Sequence, residues 1–168
     1  MIERDGTSGN QGRPVAFIEA AWRRYTKHSK NKAQEIQGAI LPIAEKHRWD
    51  TPFLGAIIAG EFTGNSISQM ESVGFNVLYI PYDTIVDAFS SQNVAVKFDE
   101  ETEDKVFKKC VHQIEKLPKS KMTLIKNHLV RANKNAIDKF SSALAKTLSK
   151  LIDSIILIPL YPTFRRLS

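Results

Sequence analysis

The stretch most suited to chemistry is AFIEAAWRRYTKHSKNKAQEIQ, residues 16–37. Glu19 interrupts an otherwise apolar run there, and Arg23, Arg24, Lys27, Lys30 and Lys32 follow it. Counting residues 13–32, six basic groups face one acid. A carboxylate enters a buried strand at a cost of several kcal/mol unless a counter-charge or a cation compensates it. A cation-bound carboxylate at a strand end, ringed by groups able to touch phosphate, is what metal-dependent phosphodiester cleavage requires. The alternative is an ion pair between Glu19 and Arg23, which share a face of an extended strand. Spacing leaves both open.

A second basic region lies further on. Between Lys116 and Lys150 there are nine Lys or Arg and one acid, Asp138. Such a surface suits salt-sensitive, sequence-independent contact with DNA. The competing reading makes these lysines the solvated face of amphipathic helices, with Leu124, Ile125, Leu129, Ile137, Phe140, Leu144, Leu148 and Leu151 turned to the core or to a partner chain. Other signatures are missing: no GxxxxGK[ST], no GxGxxG, no GxSxG and no HExxH. His28, His47, His112 and His128 show no metal-ligand spacing. Cys110 follows Lys108 and Lys109, which would lower its pKa, but it has no histidine partner in sequence and reads as a packing residue.

The elements that must position these groups follow from periodicity. Asp5-Gly6 is a turn dipeptide, and PVAFIEAA after it reads as a strand over 15–21, with MIER as the first arm of a hairpin or that arm lying upstream. Ala33, Ile36, Ile40, Ile43 and Ala44 recur at helical spacing from Ser29, with Pro42 expected to kink or split that helix. FLGAIIAG (53–60) reads as a strand covered on both faces, Ser66 as the cap of a short helix, FNVLYIP (75–81) as another strand, and Asp83 as the cap of a helix to Phe89. This alternation implies an α/β fold with a parallel or mixed central sheet flanked by helices. DEETED (99–104) places acids at the start of a helix to about Lys116, followed by two helices over 121–154 and a closing strand at IILIPLY (155–161). The expected divisions are a core over 1–97, a helical addition over 98–154, and a closing strand and tail over 155–168.

In this order of elements the chain resembles the PD-(D/E)xK, or restriction-endonuclease-like, superfamily. A turn leads to an apolar strand with a carboxylate, then a basic helix, a second apolar strand, a short helix, and NVLYIPYDTIVDAF. The resemblance implies that Glu19 is the motif carboxylate and helps hold Mg²⁺ or Mn²⁺. The motif lysine would fall at Ala21, so Arg23, Lys27, Lys30 or Lys32 must supply the charge instead. The resemblance also implies that Glu35 is a recruited acid. It makes Asp5 the first metal-binding aspartate, unless that aspartate belongs to a strand upstream. Lys27 or Lys30 would then stabilise the attacked phosphate, with Arg23, Arg24 and Lys32 on the DNA backbone.

Composition sets the outer bounds. The chain has 168 residues and a formal net charge of +6, which suits one domain and a polyanionic partner. A single cysteine fits a reducing compartment, and no apolar run approaches the ~20 residues that cross a bilayer, so a cytoplasmic protein without a membrane partner is expected. Three functions follow as expectations: a metal-dependent deoxyribonuclease acting on double-stranded DNA, an inactive DNA-binding module on the same scaffold, and an interaction protein whose C-terminal helices form a homodimer.

Overall fold

The computed structural model describes residues 1–24, 29–99 and 101–149. Lys27, Lys150 and the expected strand 155–161 lie outside the described residues. The chain is an α/β protein: a four-stranded mixed sheet with six α-helices among the described residues. Its strands are β1 (Ile2–Arg4), β2 (Arg13–Arg23), β3 (Phe53–Gly60) and β4 (Asn76–Pro81), in that spatial order. β1 pairs antiparallel with β2, so MIER does form the first arm of a hairpin, while β2, β3 and β4 run parallel.

Two crossover helices join the parallel strands, α1 (Ser29–Lys46) and α2 (Gly64–Ser72). Because β2, β3 and β4 follow one another without reversal, right-handed crossovers put both helices on one face. There Phe17, Ile36, Ile40, Ile58, Met70 and Phe75 form the larger apolar cluster. Four further helices follow: α3 (Tyr82–Ser90), α4 (Asp104–Glu115), α5 (Lys119–Ala132) and α6 (Lys134–Leu148).

Of the helices expected as an addition, α6 packs directly on the sheet. Phe140 of α6 joins Ala16, Phe53 and Leu78 in a second apolar cluster, supported by Ile137, Ala143 and Leu144. α6 therefore covers the sheet face opposite α1 and α2. That is why FLGAIIAG has an apolar residue at every non-glycine position: β3 is sandwiched between both clusters.

Three local expectations need correction. Of the two outcomes expected at Pro42, the split does not occur: α1 runs over Ser29–Lys46, because Ala33, Ile36 and Ile40 stay packed on the sheet and the proline removes a single backbone bond. The cap of α2 is Thr63, whose hydroxyl accepts from the Ser66 amide at 3.2 Å; Ser66 is itself buried and donates to the Thr63 carbonyl at 2.8 Å. α3 starts at Tyr82, with Pro81 at the cap position and Asp83 in the first turn, where its charge still favours the helix.

Candidate nucleic-acid interface

Of the groups singled out by the sequence, Arg23, Lys32 and Glu35 meet at the end of β2 and the first half of α1. Side chains alternate along β2, so Phe17, Glu19, Ala21 and Arg23 share the face toward α1, where Phe17 and Ala21 pack into the larger cluster. Glu19 pairs in register with Ala56 and is half-buried. Arg23 does not reach back to it. Its guanidinium turns to Glu35 on α1, at 3.4 Å, and Lys32 approaches the other oxygen of Glu35 at 2.9 Å. The expected Glu19–Arg23 ion pair is thus replaced by an Arg23–Glu35–Lys32 cluster, and Glu19 has no side-chain hydrogen bond or ion pair among the described residues. The Nε of Arg23 is buried without a hydrogen-bond partner among them.

The hydrogen bond from Lys32 holds the Glu35 carboxyl below its ordinary range, and the charges of Lys32 and Arg23 add to this while partial desolvation opposes it. A carboxylate with a depressed folded value contributes stability above its unfolded value and loses it as the pH falls through the folded one. Lys32→Met is accordingly expected to return Glu35 toward the ordinary range, with Arg23 leaving a smaller residual depression. A carbon-detected NMR titration of the Glu35 carboxyl checks this, and an unmoved midpoint contradicts the cluster.

Arg24 takes a different path. Its guanidinium lies 4.4 Å from the ring centre of Phe107 and 5.5 Å from that of Phe98, and it donates to the Asp99 carbonyl. Trp22, on the opposite face of β2 from Arg23, is half exposed and tilted against Tyr82 at 6.1 Å. Lys30 is exposed on the first turn of α1. The loop after β3 completes the edge. Gly60 adopts φ +102°, and the Glu61 amide donates to the Arg23 carbonyl at 2.7 Å.

Asp5 is kept apart from this edge. It sits in the hairpin turn with φ 60°, just past the Arg4–Arg13 pair, whereas Glu19 lies six residues further along β2. At ~3.3 Å per residue that is about 20 Å, so the two carboxylates do not share a cation. Among the described residues no three His, Cys, Asp or Glu side chains gather as a metal-binding group. Mg²⁺ and Mn²⁺ favour several oxygen ligands, and the described donors do not fit that requirement: Glu19 is a single carboxylate, and Glu35 is already bracketed by two cations.

Other candidates resolve into structural roles. Cys110 is buried, donates to the Ala95 carbonyl at 3.4 Å, and is pushed up in pKa by burial, the reverse of an activated thiol. On α5 and α6, Ile125 and Phe140 are buried while Lys119, Lys126, Arg131, Lys134, Lys139 and Lys146 are exposed. Asp138 is paired with Lys134. No described helix is long and apolar enough to cross a membrane.

The fold and this edge define the chain as an α/β protein with a cationic rim at the carboxyl ends of its parallel strands. No family model matches the chain, and no curated protein or solved structure matches it either.

Proposed function

We propose that the chain is a DNA-binding module on a restriction-endonuclease-like scaffold that holds duplex phosphates at the β2–α1 junction without cleaving them. The observation that carries this reading is the arrangement at the end of β2, where Arg23 and Lys32 converge on one exposed carboxylate. The guanidinium and ammonium groups stand at the carboxyl edge of the sheet, where α/β proteins commonly bind ligands. A phosphate oxygen would replace Glu35 as their acceptor and form charge-assisted hydrogen bonds of the same kind. The exposed cations of α5 and α6 add to the net positive charge that attracts a polyanion.

Such binding is electrostatic, so its affinity falls as a power of salt concentration. Arg23→Ala and Lys32→Ala are each expected to reduce the slope of log affinity against log salt by about 1, uniformly across DNA sequences. Fluorescence anisotropy of a labelled duplex at several salt concentrations measures this. Slopes that match the unsubstituted protein would place the contact elsewhere.

Glu19 supplies the test against the nuclease alternative. Its half-buried carboxylate, without a described partner, is the feature that favours catalysis. Plasmid DNA incubated with Mg²⁺ or Mn²⁺ is expected to stay supercoiled with both the unsubstituted protein and Glu19→Ala. Nicking that disappears in Glu19→Ala would overturn the non-catalytic reading and make the chain a deoxyribonuclease.

A further inference from the structure

Arg24 is adjacent in sequence to the proposed phosphate contact at Arg23, yet it is held by a segment 75 residues away. That segment is the loop before α4 together with α4 itself. The loop is fixed to the sheet edge at Tyr82, whose hydroxyl donates to the Val96 carbonyl at 2.9 Å and accepts from the Phe98 amide at 3.2 Å. α4 is fixed to the loop: Phe107 packs on Phe98 at 4.7 Å between ring centres, Cys110 donates to Ala95, and Gln113 donates to the Asn93 carbonyl at 3.3 Å. Arg24 closes the assembly by lying against both rings and donating to Asp99. The result is a strap running from the end of α3 past the end of β2, clasped there by one guanidinium.

One acceptor at the clasp, the Asp99 carbonyl, is neutral. A phosphate brings a full opposite charge and can engage a guanidinium through two parallel hydrogen bonds. The strap also carries exposed Asp99, Glu101, Glu103 and Asp104 beside the clasp, which repel a polyanion while the strap is in place. We propose that residues 93–99 and 101–115 act as an autoinhibitory strap that occupies Arg24, and that a DNA phosphate backbone at the β2–α1 junction displaces it to claim that guanidinium. This inference rests on the DNA-binding reading above.

The test uses substitutions that leave the charge unchanged. Phe98→Leu with Phe107→Leu keeps apolar bulk at both positions and removes the aromatic faces under Arg24. Affinity for a short labelled duplex is expected to rise about three- to tenfold, the range set by losing a cation–aromatic contact in the competing state. Hydrogen exchange of the amides of α4 is expected to quicken when DNA binds the unsubstituted protein. Arg24→Gln, which leaves the aromatic pair untouched, is expected to quicken the same amides without DNA. If DNA binds with Arg23 dependence but the leucine variant binds no more tightly, the strap is overturned and the DNA reading stands. If neither protein binds DNA, both fall. Unchanged exchange in Arg24→Gln overturns the clasp independently of any DNA.

Discussion

Gly60→Ala is expected to destabilise the protein by about 3 kcal/mol or more, since a left-handed backbone costs a non-glycine residue 1–3 kcal/mol before any clash is counted. Here there is a clash as well. Gly60 has φ +102°, and an added Cβ would sit 1.8 Å from the Arg23 carbonyl oxygen. That oxygen accepts from the Glu61 amide, and the Gly60 carbonyl accepts from the Tyr79 hydroxyl at 3.0 Å, so neither strand end yields without breaking a hydrogen bond. Relief of the overlap moves the last residue of β2, and with it the Arg23 side chain. Stability and DNA affinity should therefore fall together. For a chain of this size the melting temperature should drop by roughly 6–12 °C. Gly38→Ala provides the contrast: it lies inside α1 with nothing within 4 Å of the added methyl, and should stabilise by about 0.5–1 kcal/mol. Equal melting temperatures for the two variants would contradict the close approach of β2 and β3 described here.

The sequence foretold what short-range periodicity encodes. Strand-like runs at 15–21, 53–60 and 75–81 correspond to β2, β3 and β4, and the helical spacing from Ser29 corresponds to α1. The alternation of these elements implies a parallel or mixed sheet, because βαβ units lay successive strands parallel with one handedness. What it did not encode was which long side chain meets which. Glu19 and Arg23 share a strand face, but so do the residues of α1 packed over that face, and Glu35 offers Arg23 a partner one helix away. For Arg24 the resemblance implies a DNA-backbone contact, and nothing local points to Phe98 and Phe107, which come from the loop before α4 and from α4 and reach it through the tertiary fold. Asp5 was readable either as a ligand or as a turn residue. Its φ of 60° and the three-residue β1 make it a turn residue, displaced from Glu19 by the length of the strand. Gly60 did leave a signal, a glycine closing an apolar strand just before Glu61, and its meaning appears only when β2 is seen alongside.

Replacing Phe140 by alanine is expected to cost about 3–5 kcal/mol, the range for deleting a buried aromatic ring. Its ring stands edge-on to Phe53 at 5.4 Å and 89°, and with Ala16 and Leu78 it joins α6 to the sheet. The space beneath it cannot refill easily, because the neighbouring residue on β3 is Gly55, which has no side chain to lean into a cavity. This geometry gives a sharper test than the single substitution. A Cβ on Gly55 would lie 2.8 Å from Phe53, 3.0 Å from Phe140 and 3.1 Å from Ile18, so Gly55→Ala should cost about 1–3 kcal/mol by overpacking. With Phe140→Leu in place, the ring tip that crowds the methyl is gone. The double variant should therefore be more stable than the sum of the two single changes predicts, by about 0.5 kcal/mol or more. Urea unfolding of the four proteins closes the cycle. Simple additivity would mean that α6 does not seat on β3 at Gly55; a positive coupling makes α6 the second wall of the sheet whose edge carries Arg23.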